Sequence, residues 1–77
     1  MVYVYALRYG VSDVSSNIFL HEYSDIDYAN IVATAYSHWR GVKYHTIVTD
    51  EKLLYSSTVS QDKLEGIVAW YQEADML

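Results

Sequence analysis

Three histidines, His21, His38 and His45, are the candidate metal ligands and general bases here, because the chain has no cysteine. No two of them stand four residues apart, as a helical metal pair requires, and there is no HExxH. They read as half-buried structural groups, which only folding could gather with Glu22 or Asp25. Serines stand at positions 12, 15, 16, 24, 37, 56, 57 and 60. None lies in GxSxG or SxxK, and no glycine-rich loop is present to cradle a phosphate. Loops, caps and an edge strand account for them. No catalytic residue, cofactor or metal site is assigned. What remains is non-covalent recognition. Nine of the twelve aromatic residues are tyrosines, which join a large apolar body to a polar tip and suit interfaces.

The elements that position these groups are legible from periodicity. Val2 to Tyr9 alternates as a strand, with Val2, Val4, Ala6 and Arg8 on one face and Tyr3, Tyr5, Leu7 and Tyr9 on the other. After a polar loop, Ile18 to Tyr23 forms a second strand. Ile18, Leu20 and Glu22 share one of its faces and Phe19, His21 and Tyr23 the other. The loop is short enough for an antiparallel hairpin. Ser24 to Gly41 then reads as an amphipathic helix. Ser24 is its N-cap, Asp25 and Asp27 complement its dipole, and Arg40 and Gly41 end it. Its buried stripe is Tyr28, Val32, Ala35 and Trp39, widened by Ile31 and Tyr36. Asn30, Ala33, Thr34 and Ser37 fall opposite.

Val42 to Thr49 and Leu53 to Ser57 read as a third and a fourth strand around the polar turn Asp50-Glu51-Lys52. A second helix starts near Thr58 to Ser60, with Thr58 and Ser60 as rival caps. Its core stripe is Leu64, Ile67, Val68 and Tyr71. Gly66 interrupts it, and close backbone packing is the one reason the sequence offers. Shifted by 36 residues, Ser24 falls on Ser60 and Ile31-Val32-Ala33 on Ile67-Val68-Ala69. The order is strand, strand, helix, twice, which raises a ββα pseudo-repeat over residues 1–41 and 42–77; independent origin of two similar helices is the alternative.

The expected fold is therefore α+β, in one domain spanning residues 1–77. Two consecutive ββα units join two hairpins into a four-stranded, mainly antiparallel sheet, with both helices on one face. The aliphatic strand faces suit packing beneath the helices. That leaves Tyr3, Tyr5, Tyr9, Phe19, His21 and Tyr23 on an open face, and an exposed apolar patch marks interaction sites. Reversed faces, with the tyrosines as core, are the competing arrangement. Trp70 and Glu73 on the second helix extend the candidate surface. For Trp70 the alternative is packing against the neighbouring helix. The acids Asp62, Glu65, Glu73 and Asp75 form that helix's flank, either for solubility or for a basic surface.

Net charge is −5, shared as −2 over residues 1–41 and −3 over residues 42–77. Neither half is basic, so phosphate backbones and direct nucleic-acid binding are not expected. Base stacking on the aromatic sheet meets the same objection. No apolar run approaches the ~20 residues of a membrane span, and no basic, apolar leader opens the sequence. A soluble cytoplasmic protein is the expectation. With 52% hydrophobic residues the chain can build a core. At this size it depends on good packing or on oligomerisation.

The functional expectation is a small acidic, non-enzymatic interaction module. It would bind and modulate or inhibit a larger, basic-surfaced protein. In composition alone the chain is similar to accessory proteins of phages and plasmids, so an antagonist of a host factor, or a mimic of nucleic-acid charge, is the concrete form. The alternative is a homodimer or larger oligomer using the tyrosine face as self-interface. A small-ligand-binding domain ranks below both, since it needs several converging polar groups.

Overall fold

The computed structural model describes residues 1–8, 17–39 and 44–75. The elements run β1 (Val2–Arg8), β2 (Ile18–Tyr23), α1 (Ile26–Ser37), β3 (Tyr44–Thr49), β4 (Ser57–Thr58) and α2 (Gln61–Asp75). The expected class holds: an α+β fold with a four-stranded sheet of order β3-β1-β2-β4. Both β1 pairings are antiparallel, and β4 joins β2 in parallel. Val4, Ala6 and Leu20 of the sheet form one buried cluster with Val32 and Tyr36 of α1 and Leu64, Ile67 and Val68 of α2. Both helices thus cover one sheet face, the aliphatic one. Removing Val32, Leu64 and Ile67 from water contributes roughly 1.5–3 kcal/mol each before conformational entropy is counted.

The element order is β-β-α twice, but the second pair of strands does not close a hairpin. β3 and β4 sit at opposite edges of the sheet, so residues 50–56 must cross the face away from the helices. The expected strand at Leu53 to Ser57 is therefore mostly a strap, with only Ser57–Thr58 in the ladder. Its backbone groups find partners elsewhere. The Tyr5 hydroxyl accepts from the Leu53 N–H at 2.8 Å. Asn17 donates its side-chain amide to the Leu54 carbonyl at 2.9 Å, and the Ser56 N–H reaches the Asn17 carbonyl at 2.9 Å. A segment supplied with such bonds needs no strand partner.

The helices match in outline and differ in detail. Asp25, not Ser24, caps α1: its carboxylate accepts from the Asp27 N–H at 2.9 Å. The helix stops at His38, whose ring nitrogen and the Ser37 hydroxyl both approach the Thr34 carbonyl. The expected terminators Arg40 and Gly41 lie outside the described residues. The buried side of α1 is Ala29, Val32, Ala33 and Tyr36, with Ala35. It is shifted from the expected stripe so that Ala29 and Ala33 are buried and Tyr28 lies at the exposed margin, its ring against Tyr23. Thr46 of β3 donates its hydroxyl to the Ala33 carbonyl at 3.1 Å, an approach that a small side chain permits. In α2 the expected stripe holds, and Ser60 rather than Thr58 caps it, through Lys63 N–H to the Ser60 hydroxyl at 3.3 Å. Close packing does not explain Gly66, because a Cβ there would meet nothing within 4 Å.

A candidate binding groove on the open sheet face

The groove begins with one extra residue in β2. Tyr5 faces Phe19 across β1 and β2, yet Val4 faces His21. Leu20 has no opposite residue, and the pair carries a β-bulge. Directly opposed residues of an antiparallel pair share a face. Val4 lies under the helices, so His21 turns that way, and Val2 takes Tyr23 with it. Tyr3 correspondingly brings Glu22 onto the open face. Strict alternation put Glu22 among the aliphatic residues and His21 and Tyr23 among the open-face aromatics. The bulge exchanges them.

The expected aromatic face is accordingly split. Tyr3, Tyr5 and Phe19 stay together on the open side, where Glu22, Lys52, Leu53 and Tyr55 join them around a groove of about 210 Å³. Tyr5 is its floor, only 1% exposed, because the strap covers it and engages its hydroxyl. Phe19 leans on Tyr5 at 5.4 Å and stacks under Tyr55 at 5.1 Å, with 28° between the ring planes. The Lys52 ammonium stands 5.8 Å from the centre of the Tyr3 ring, within cation–π range. Tyr55 in the groove wall is 50% exposed, and Leu54, its neighbour on the strap, is 76% exposed.

The other predicted residues lie elsewhere. His21 and Tyr23 meet at 5.0 Å, and Tyr23 meets Tyr28 of α1 at 5.2 Å. Burial, then the charges of Tyr28 and Glu65, push the Tyr23 phenol above its ordinary range. Trp70 packs edge-on against Trp39 at 5.2 Å while remaining partly exposed, which is the helix-packing alternative. Glu73 is exposed on α2, on the far side of the sheet from the groove. Tyr9 lies outside the described residues.

Sequence reasoning missed Glu22, Lys52, Leu53 and Tyr55. One signal was available. Alternation placed the Glu22 carboxylate under the helices, where an unpaired charge is costly, and a register change is the cheapest escape. For Leu53 and Tyr55 the apolar run imitated a strand.

Chemically, the groove offers stacked rings, one carboxylate and one ammonium. Among the described residues its lining includes no histidine or serine. Nor does any group of three or more His, Asp or Glu among them have the arrangement of a metal site. No described helix is long and apolar enough to cross a membrane. No protein-family model matches the chain, and neither a curated protein nor a solved structure does.

Proposed function

We propose that this chain is a non-enzymatic protein-interaction module, and that the groove and its strap are the surface that docks a larger, basic-surfaced protein and modulates it. One observation carries the reading: the strap turns Tyr55 outward over Phe19 at the groove and exposes Leu54 next to it in the chain. Exposed apolar side chains gathered around a concavity are a recurrent mark of binding surfaces. The net charge of −5 favours a basic partner and speeds encounter with it. A cysteine-free chain suits the reducing cytoplasm of a producing or host cell.

The test is capture from a lysate of the source or host cell with the wild-type chain and with Leu54→Asp and Tyr55→Ser, read by mass spectrometry. The reading expects one stoichiometric partner that both substitutions release. A partner retained equally by all three chains would place the docking surface elsewhere. Concentration-dependent dimerisation in sedimentation, abolished by the same substitutions and with no other protein captured, would replace this reading with self-association through the groove.

A further inference from the structure

We infer that the groove is a receptor for one cationic side chain, an arginine projecting from the partner, and that Lys52 stands in for it in the free protein. The inference deepens the interaction-module reading and rests on it.

Tyr3 and Glu22 are directly opposed across β1 and β2. Such pairs hold their Cβ atoms about 4.5–5.5 Å apart, and both residues line the groove, so it carries a carboxylate and an electron-rich ring on neighbouring strands. That combination recognises cations: the ring face attracts positive charge and the carboxylate supplies the counter-charge. Lys52 already places its ammonium over the Tyr3 ring. The site therefore accepts a cation, and the one it holds sits on an exposed strap between Glu51 and Leu53. An ammonium is compact and strongly hydrated, and is weakly held at a water-exposed ring. A guanidinium is planar, less hydrated, stacks on aromatic faces and can meet a carboxylate through two hydrogen bonds. The stacked Phe19 and Tyr55 rings form the wall along which an arginine stem can lie. Asp50 and Glu51, both exposed, precede Lys52, so displacing its head leaves it among acids that can receive it.

The experiment is an NMR titration of the whole chain with a capped Gly-Gly-Arg-Gly-Gly peptide. The same peptide with lysine or citrulline in place of arginine is the comparison. Saturable shifts centred on Tyr3, Glu22, Lys52 and Tyr55 are expected, strongest for arginine and absent for citrulline. Glu22→Gln should weaken arginine binding at least fivefold. Lys52→Ala should strengthen it severalfold, since it removes the competitor. Both positions are exposed, so the variants keep the fold, and their spectra check this. The inference is overturned by no saturable binding, by shifts centred on Asp62, Glu65 and Glu73, by indifference to Glu22→Gln, or by weaker binding in Lys52→Ala. If the peptide fails while partner capture still depends on Leu54, the cation site falls and the interaction module stands. If the peptide binds while capture ignores Leu54 and Tyr55, the docking surface falls and the cation site stands.

Discussion

Removing a single oxygen, in Tyr5→Phe, should loosen the strap and the groove with it. Tyr5 is buried, and its hydroxyl accepts the Leu53 N–H at 2.8 Å. Phenylalanine fills nearly the same volume, so no cavity term arises. A hydrogen bond of this kind contributes about 0.5–1.5 kcal/mol net, and a donor left buried without a partner costs about 1–3 kcal/mol. Leu53 is only half-buried, so water can reach its N–H after a small displacement. The lower half of that range, about 1–2 kcal/mol, is therefore the expected loss. For a domain of this size each kcal/mol moves Tm by about 4–8 °C, a shift resolved by thermal unfolding followed by circular dichroism. Hydrogen exchange supplies the local readout: the Leu53 and Ser56 amides should exchange faster, while those of α2 slow or quicken only with global stability. Unchanged Tm with unchanged strap exchange would refute the claim that Tyr5 fastens the strap.

Other perturbations test the remaining elements. Gly66→Ala should stabilise the protein by about 1 kcal/mol in urea unfolding, since a helix-interior glycine costs that much and the added methyl meets open space. A destabilised variant would show that this position is occupied in solution. Asp25→Ala should cost about 0.5–2 kcal/mol by removing the α1 cap, whereas Ser24→Ala should cost little; the reverse order would restore Ser24 as the cap. Alkaline pH should destabilise the fold through Tyr23 and Tyr36. Burial raises both phenols, with the charge of Tyr28 and then Glu65 adding to it at Tyr23, and the charge of Tyr44 and a hydrogen bond with it at Tyr36. Below the ordinary tyrosine value of 10.0 both states keep their protons; above it the unfolded chain ionises first, so stability falls as pH rises. Denaturation curves between about pH 8 and 11 should show this loss, and Tyr23→Phe with Tyr36→Phe should diminish it.

Periodicity reveals what depends on local repetition and misses what depends on a single break in it. The α2 stripe of Leu64, Ile67, Val68 and Tyr71 is legible because it keeps one helical spacing over about two turns. The aliphatic face of β1 is legible because Val2, Val4 and Ala6 alternate without interruption. The shifted stripe of α1 was not, because its alanines carry almost no hydrophobic signal. Ala33 and Ala35 look alike in sequence, and only the packed fold shows that both are buried, Ala33 with its carbonyl bonded to Thr46 of β3. The strap was not legible either. Leu53-Leu54-Tyr55 has strand composition, and the bonds that hold it come from Tyr5 and Asn17, 48 and 37 residues away.

The bulge at Leu20 shows how one such break creates the site. Without it, alternation would bury Glu22 beside the helices and put His21 opposite Tyr3 on the open face. A carboxylate there would shift toward its neutral form or destabilise the core. The extra residue releases that charge to the open side and sends His21 and Tyr23 toward α1, where Tyr23 finds Tyr28. The same step that relieves the core thus places an acid against Tyr3 and gives the groove its polarity. Core stability and site chemistry are linked through one residue. The apolar half of the groove has a separate origin: β4 lies at the far edge from β3, so the connection must cross the sheet and lay Tyr55 over Phe19. A chain with the strap but no bulge would carry a purely aromatic trough. A chain with the bulge but a closed second hairpin would expose Tyr5 and hold no Lys52 above Tyr3. The acid–aromatic groove requires both departures from the simple repeat.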